Sequence, residues 1–479
     1  MSNSSEQVIS KSLAINLKNI NEILNIDKNF DIIYRVFEVA EREACLYFID
    51  GLNKDEILEK LMEKFHAIKK EDMPDNAHEF SKLVLPYGEV DLMRDMDQLI
   101  TMLLVGVPML VIDGYEQILA IDFRTYPQRS VEEPEKDKVL RGSRDGFVET
   151  VVFNTALIRR RIRDPQLTME ITSVGKASKT DIVLCYMNNR VNQKFLNEIR
   201  DKLSNIKVDA LSMNTESLAE CIYKRNWINP FPKFKYTERP DTAAASILEG
   251  NIVVIIDNSP SAMILPTTLF EITEEADDYY FPPVTGTYLR ITRLLINIIA
   301  LFLTPVWLLL MENPDWIPTG LEFLRIKDPI NIPIVVQLLI LEFAIDGLKL
   351  ASLNTPSMLS TPLSVVAGIV LGDFTVSSGW FNAETMLYMA FVAIANYSQA
   401  SYELGYALKF LRLIMVVLTG ILGGWGFLIG FMITIWAVVS NKTISGEGYL
   451  YPLFPFNGKE LVRRFLRISI TRANNDMHN

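Results

Sequence analysis

Residues 294–311 read LLINIIALFLTPVWLLLM, 18 positions without a charge. A helix needs ~20 apolar residues to cross the ~30 Å hydrocarbon core of a bilayer. This run therefore reads as the first membrane span, and its position divides the chain. Before Arg290 the sequence mixes charged and apolar positions; after it, apolar runs follow one another to Val439. The expected fold class is an α/β cytoplasmic domain of two related lobes, then an all-α multi-span membrane domain and a short cytoplasmic tail helix. The expected boundaries are 1–90 for a helical N-terminal region, 91–290 for the α/β domain, 291–440 for the transmembrane helices and 441–479 for an amphipathic tail.

Several further runs follow the first. Residues 332–351 read as a second span, but one that carries Glu342, Asp346 and Lys349. Residues 351–372 are apolar but broken by Asn354-Thr355-Pro356 and Pro362, with a short core at 363–371. Residues 385–402 are 18 uncharged positions and 413–439 are 27. As one straight helix the last run would be ~40 Å long, so it must tilt or bend at Gly420, Gly423, Gly424 and Gly426. Basic residues crowd the tail (Lys442, Lys459, Arg463, Arg464, Arg467, Arg472) and flank the first span (Arg290, Arg293). The positive-inside rule then places both termini in the cytoplasm and requires an even number of crossings. Four spans with a re-entrant piece at 356–372 fit better than five. Six need a hairpin within 413–439, which is short for two crossings.

In the soluble part, apolar residues at Ile32, Ile33, Val36, Phe37, Val39, Ala40, Ala44, Leu46 and Tyr47 come close to a 3.6 period and predict a helix over 31–49. A second helix is predicted over 54–65 and a loop at 74–77. An internal similarity follows. Residues 97–104 are helix-like, then come Gly106, a strand at 109–112, Asp113-Gly114 and a strand at 118–123. Residues 242–248 are helix-like, then come Gly250, a strand at 252–256, Asp257-Asn258 and a returning strand at 262–265. Both read as helix, Gly cap, strand, tight turn, strand, which suggests two related lobes. Chance recurrence of a common unit is the alternative. Strands at 168–172 and 181–186 and helices at 191–203 and 215–223 complete a mixed α/β domain. An acidic, then aromatic and Pro-rich linker at 271–287 leads to the first span.

A formal net charge of -11 argues against nucleic acid, since phosphate neutralisation needs excess Lys and Arg. Cys45, Cys185 and Cys221 are far apart and form no CxxC, so neither a disulfide framework nor a zinc site is expected. Residues 1–11 are polar, so no cleaved signal peptide is expected. His66, His78 and His478 support no triad, and no P-loop or Rossmann glycine pattern is present. No enzyme, cofactor or metal is expected.

Three groupings remain. Arg141, Arg144, Arg159, Arg160 and Arg161 could clamp an anion or a neighbouring subunit, or pair within the chain with acids such as Glu132, Glu133 and Glu149. Glu342, Asp346 and Lys349, at spacings of four and three, share one helix face. They are an ion pathway or gate, or a salt bridge that fastens helices. The segment 363–371 lines a narrow pore or simply packs, with Val365, Val366, Ile369 and Val370 as candidates for a constriction. In the tail, 459–470 is amphipathic, and lies either on an anionic leaflet or under the protein.

Two blocks carry a family resemblance. The first runs through Arg129-Ser130-Val131-Glu132-Glu133-Pro134, Val139-Leu140-Arg141-Gly142-Ser143-Arg144-Asp145-Gly146-Phe147-Val148-Glu149 and Asn154-Thr155-Ala156-Leu157-Ile158-Arg159-Arg160-Arg161-Ile162. The second comprises Pro230-Phe231-Pro232, Thr237-Glu238-Arg239-Pro240-Asp241, Leu248-Glu249-Gly250, Ser259-Pro260 and Pro266. Together with Glu342-Phe343 and Val370-Leu371-Gly372-Asp373 they resemble the GerA family, the A subunits of bacterial spore germinant receptors, over residues 30 to 470. Arg141-Gly142-Ser143-Arg144-Asp145-Gly146-Phe147 and Gly286-Thr287-Tyr288-Leu289-Arg290 are similar to the stage V sporulation protein AF branch. The resemblance implies a spore inner-membrane protein that acts in germination, a ring homo-oligomer with a central pore, and a small membrane partner or other germination proteins as company. It also favours the pore reading of 363–371. The expected function is a subunit of an oligomeric ion channel that promotes ion release. The alternative is a non-conducting scaffold or receptor subunit that assembles a germinant receptor complex.

Overall fold

One five-stranded plan is built twice in the first half of the chain. The computed structural model describes residues 9–85, 89–126, 139–223, 229–354, 368 and 375–467. Two units divide them: Met1–Arg225 with Phe234–Pro266, and Asn226–Lys233 with Thr267–Asn479. In the first unit, lobe 1 contains α1 (Leu13–Leu24), β1 (Ile32–Val39), β2 (Arg42–Ile49), α2 (Asp55–Ala67), α3 (Ala77–Leu83), β3 (Glu89–Met93), α4 (Met96–Leu104), β4 (Met109–Ile112) and β5 (Ile118–Asp122). Lobe 2 contains α5 (Val151–Arg161), β6 (Leu167–Val174), β7 (Thr180–Met187), α6 (Gln193–Ser204), α7 (Asn214–Ile222), β8 (Lys235–Thr237), α8 (Pro240–Glu249), β9 (Ile252–Ile256) and β10 (Ala262–Leu265). The strand orders are β1-β2-β4-β5-β3 and β6-β7-β9-β10-β8. Every neighbouring pair is antiparallel.

The likeness extends to single hydrogen bonds. The Leu13 N–H at the start of α1 donates to the Asp113 carboxylate at 2.9 Å, and the Val151 N–H at the start of α5 donates to Asp257 at 3.1 Å. Each Asp thus satisfies one of the orphan donors that a helix N-terminus leaves. Asn16 bonds both backbone groups of Ser10, and Asn154 bonds both of Val148. Gly106 and Gly250 follow α4 and α8 at φ 103° and 102°, where a side chain is strained. The two sequence units found at 97–123 and 242–265 therefore occupy the same place in two copies of one lobe.

The helix expected over 31–49 is instead the β1–β2 hairpin. Its turn residues Ala40 and Glu41 stand at φ 51° and 68°. They lack the Asn-Gly or Asp-Gly that usually marks such a turn. The β-branched Ile32, Ile33, Val36 and Val39 suit the extended state. β2 is buried along most of its length, which hides the period-two signal. A helical 1–90 region with a boundary at 90 consequently does not exist: β1 and β2 form one sheet with strands on the far side of that boundary. The predicted helix at 54–65 is present as α2.

Helix α5 joins the lobes. Its Arg159 donates from Nε to Asp31 at 2.8 Å and from Nη2 at 3.1 Å, and from Nη1 to the Leu167 carbonyl at 3.3 Å. Arg159 and Asp31 are wholly buried. Arg159 is therefore engaged within its own chain, and its acid is Asp31 of lobe 1.

The second unit is helical. It comprises α9 (Leu269–Thr273), α10 (Asp277–Tyr280), α11 (Pro283–Glu312), α12 (Ile334–Asn354), α13 (Ala383–Tyr397), α14 (Tyr402–Leu422), α15 (Gly424–Val439) and α16 (Gly458–Phe465). By length and composition α11 and α14 could cross a membrane, and α15 is apolar but shorter. The run 413–439 is not one helix. It breaks at Gly423 (φ 58°), and the Gly426 and Gly430 backbones lie against Leu418 and Met415, so α14 and α15 form an antiparallel hairpin. At ~1.5 Å per residue, α15 is only ~24 Å long. Likewise 385–402 is not one span, since α13 ends at Tyr397 and α14 begins at Tyr402.

Removing one member of a buried ion pair strands the other. Arg159→Ala should cost about 3–5 kcal/mol of stability, and the exposed Arg144→Ala less than about 0.5, in denaturant unfolding followed by circular dichroism.

Candidate functional site

Four charges meet inside the helical unit. Glu342 and Asp346 lie one turn apart on α12, and Lys409 and Arg412 lie one turn apart on α14. Glu342 Oε1 accepts from Arg412 Nε at 2.9 Å and Nη2 at 2.5 Å, and its Oε2 stands 3.3 Å from Lys409 Nζ. Lys409 also pairs with Asp346. Arg412 donates further, to the Ala300 carbonyl of α11. Pro305, with no N–H to offer Leu301, interrupts the α11 ladder one residue beyond that carbonyl. Arg412 is 0% exposed, Lys409 5% and Glu342 4%, whereas the Asp346 side chain is 37% exposed. The cluster is thus neutral in sum, ties three helices together and opens to the outside at Asp346.

The sequence placed Glu342, Asp346 and Lys349 on one face. Glu342 and Asp346 do share a lysine, but that lysine is Lys409. Lys349 lies over the Tyr402 and Tyr406 rings at 4.8 and 4.5 Å, a cation–π stack. Lys409 and Arg412 were missed because the last span was drawn from Leu413 to stay free of charge. Their spacing of three within an apolar stretch was the signal. The constriction candidates Val365, Val366, Ile369 and Val370 lie outside the described residues.

A second group of charges gathers at the start of α11. Asp278, fully buried, accepts from Arg293 at 2.5 and 2.8 Å, with Arg290 Nε at 3.4 Å. Arg290 also donates to the Arg463 and Arg464 carbonyls at the end of α16, where a cation is favoured by the helix dipole. Arg464 pairs with Glu271 and Glu274 at 2.6 and 3.1 Å, and Thr287 accepts from the Arg467 N–H at 3.1 Å. A side chain at Gly286 would stand 2.3 Å from the Asp278 carbonyl. The motif Gly286-Thr287-Tyr288-Leu289-Arg290 is therefore where the linker, α11 and α16 close on one another. The tail helix is held by the chain itself, through the same basic face that a lipid surface would need.

The Pro230-Phe231-Pro232 block also has a seat in this unit. Asn229 donates to the Ala437 carbonyl near the end of α15 at 2.8 Å. Tyr449 donates to the Pro232 carbonyl at 2.8 Å and packs on Phe231. Lys233 bonds Asn441 and the Lys442 carbonyl, and burial pushes its pKa down to about 8.

In the first unit the arginine block docks on the second family block. Arg239, 1% exposed, holds Asp241 at 2.6 and 3.0 Å and the Ser143 carbonyl at 2.8 Å. Arg161 pairs with Asp145, and Arg160 stacks on Tyr126 at 4.4 Å; Arg141 and Arg144 are exposed.

The model of the Bacillus/Clostridium GerA spore germination protein family matches residues 18–478. The chain belongs to the GerA family. It is 36% identical to stage V sporulation protein AF of Bacillus subtilis, over 92% of this chain and 89% of that protein. It is 26% identical to spore germination protein KA of the same organism (96% and 85%) and 27% identical to spore germination protein GerLA of Bacillus cereus (89% and 87%). The N-terminal domain crystal structure of the A subunit of the Bacillus megaterium spore germinant receptor GerK3 is 27% identical, with a TM-score of 0.42, over 55% of this chain and 97% of that one.

Two outcomes are expected. Glu342→Gln leaves Arg412 without its carboxylate, so a double-mutant cycle of Glu342→Gln and Arg412→Gln, read by thermal unfolding in detergent, should give a coupling of about 0.5–3 kcal/mol. At Asp145, burial lifts the carboxyl pKa, but hydrogen bonds from Arg161 and Ser143 outweigh it and hold the group below the usual carboxylate range. Its contribution is present above the unfolded-state pKa of ~3.9 and lost as pH falls through the lower folded value. Asp145→Asn should lower stability at neutral pH and reduce the further loss on acidification, measured by unfolding across that range.

Proposed function

We propose that the protein is a subunit of a homo-oligomeric channel of the spore inner membrane, with both termini cytoplasmic, which promotes ion release during germination. The observation that carries this reading is the Glu342–Arg412–Lys409–Asp346 cluster. Charges buried among apolar helices are costly and are kept where they serve an ion path or a gate. This cluster fixes α12, and α12 leads directly into the segment that holds Val365, Val366, Ile369 and Val370. A gate there would work by small shifts that wet or dewet an apolar constriction. Membership of a family of germination proteins, and the two helices long enough to cross a bilayer, support the same reading. A small membrane protein or another germination protein would complete the assembly.

The test is conductance of the purified protein in planar bilayers, with and without a candidate partner. Discrete, ion-selective currents that change with Val366→Ala are expected. Silence from an intact oligomer would replace the channel with a scaffold that assembles other germination proteins.

A further inference from the structure

The contact between the two lobes of the first unit is head-to-tail, not two-fold. Lobe 1 contributes residues 29–31, with Gly51 and Tyr126 also against α5; lobe 2 contributes α5 and the edge of β6. Asn29 Oδ1 accepts from the Met169 N–H at 2.8 Å, and the Phe30 N–H donates to the Met169 carbonyl at 3.3 Å. The loop thereby takes both outward backbone groups of that edge residue, while Arg159 holds Asp31 beside it.

Strand register carries this contact over to lobe 1. Tyr47 of β2 opposes Met109 of β4, as Cys185 of β7 opposes Val253 of β9. Across the other side of those strands, Tyr47 faces Tyr34 and Cys185 faces Met169. Tyr34 is therefore the counterpart of Met169, and turns the same backbone groups outward. Met169 is fully covered, but its counterpart Tyr34 is 43% exposed; Val36, at 49%, matches Ile171, at 43%. By the same register, residues 164–166 before β6 correspond to 29–31 before β1. Asn29 and Asp31 are buried; Asp164, Pro165 and Gln166 are half-exposed. Among the described residues, each chain thus shows one contact made and both halves of a second left open.

We propose that a second copy of this chain completes it: the 164–166 loop of one subunit lies along the β1 edge of the next, as 29–31 lies along β6 within the chain. The Asp164 carboxylate takes the place of the Asn29 amide; its Oδ1 accepts the Gln166 N–H at 2.8 Å within the loop, and its second oxygen can accept a backbone N–H of the neighbouring edge. A heterologous contact of this kind closes into a ring when its rotation allows, and the occupied edge is no longer open to unwanted strand pairing. This assignment rests on the oligomer part of the reading above and supplies its soluble-domain contact.

Paired cysteines in the full-length protein test it. Cys45 and Cys185 are buried, so only Cys221→Ser is needed as background. Val36→Cys together with Gln166→Cys should give a ladder of disulfide-linked species under mild oxidation. Mixing the two single variants should give one linked dimer, and either alone none. Tyr34→Lys, at a half-exposed side chain, should shift the native-gel species towards monomer without changing the circular dichroism spectrum. An intact oligomer with no ladder and no effect of Tyr34→Lys overturns the assignment and leaves the oligomer standing. A monomer in detergent and in lipid overturns both.

Discussion

The guanidinium of Arg412 decides the architecture of the helical unit. It is fully buried, and its hydrogen bonds run to Glu342 on α12 and to a backbone carbonyl on α11. Three helices must therefore meet at one level, or a charge is left in an apolar medium. Such a pair stabilises little compared with well-packed hydrophobic side chains of the same size. What it enforces is register, since sliding α12 or α14 by one turn would separate the partners. Lys409 extends the constraint by a turn, because it pairs with both Glu342 and Asp346. Arginine–carboxylate pairs recur at other joints among the described residues. Arg159 and Asp31 join the lobes, Arg239, held by Asp241 of its own block, reaches the Ser143 carbonyl of the other block, and Arg293 and Asp278 fix the linker to the start of α11. Arginine suits these positions: Arg159, Arg239 and Arg293 each meet both oxygens of a carboxylate along two parallel bonds, whereas Arg412 sends Nε and Nη2 to one oxygen of Glu342 and Nη1 to the Ala300 carbonyl.

Duplication explains the shape of the first unit more economically than two independent folds. A turn aspartate that caps the helix of its own lobe, and an asparagine that closes the loop before that helix, are found at matching places in both halves. The halves differ where they touch. Lobe 2 has Arg159 on its joining helix, where the register of the repeat gives lobe 1 Asn21, which accepts instead from the Tyr47 hydroxyl. One copy has thus acquired the charge that fastens the pair, while the other keeps a neutral local contact.

Much of this was legible in the chain. The helix–Gly–strand–Asp–strand units were visible because glycine at positive φ and a turn aspartate are demands of the backbone, and these survive divergence of the side chains around them. The β1–β2 hairpin was not, since Ala40-Glu41 carries no turn signature and β2 is apolar on both faces. A buried strand and a helix cannot be told apart by periodicity alone when the run is this short. Partners distant in sequence, such as Asp31 for Arg159, leave no local trace at all.

The charged cluster shows where span-by-span reading misleads. A segment drawn to exclude charge begins at Leu413 and discards the two cations that pair with Glu342 and Asp346. Counting charge over the whole bundle gives the opposite advice. An acid buried among apolar helices, as Glu342 is, needs a compensating charge, so cations had to be sought on another helix at matching depth. Lys409 and Arg412, three residues apart, match the four-residue step from Glu342 to Asp346 along an antiparallel neighbour. The rule that follows is electrostatic: in an apolar helical unit, helix boundaries must be drawn so that each buried charge keeps its partner, even where a segment then carries charge.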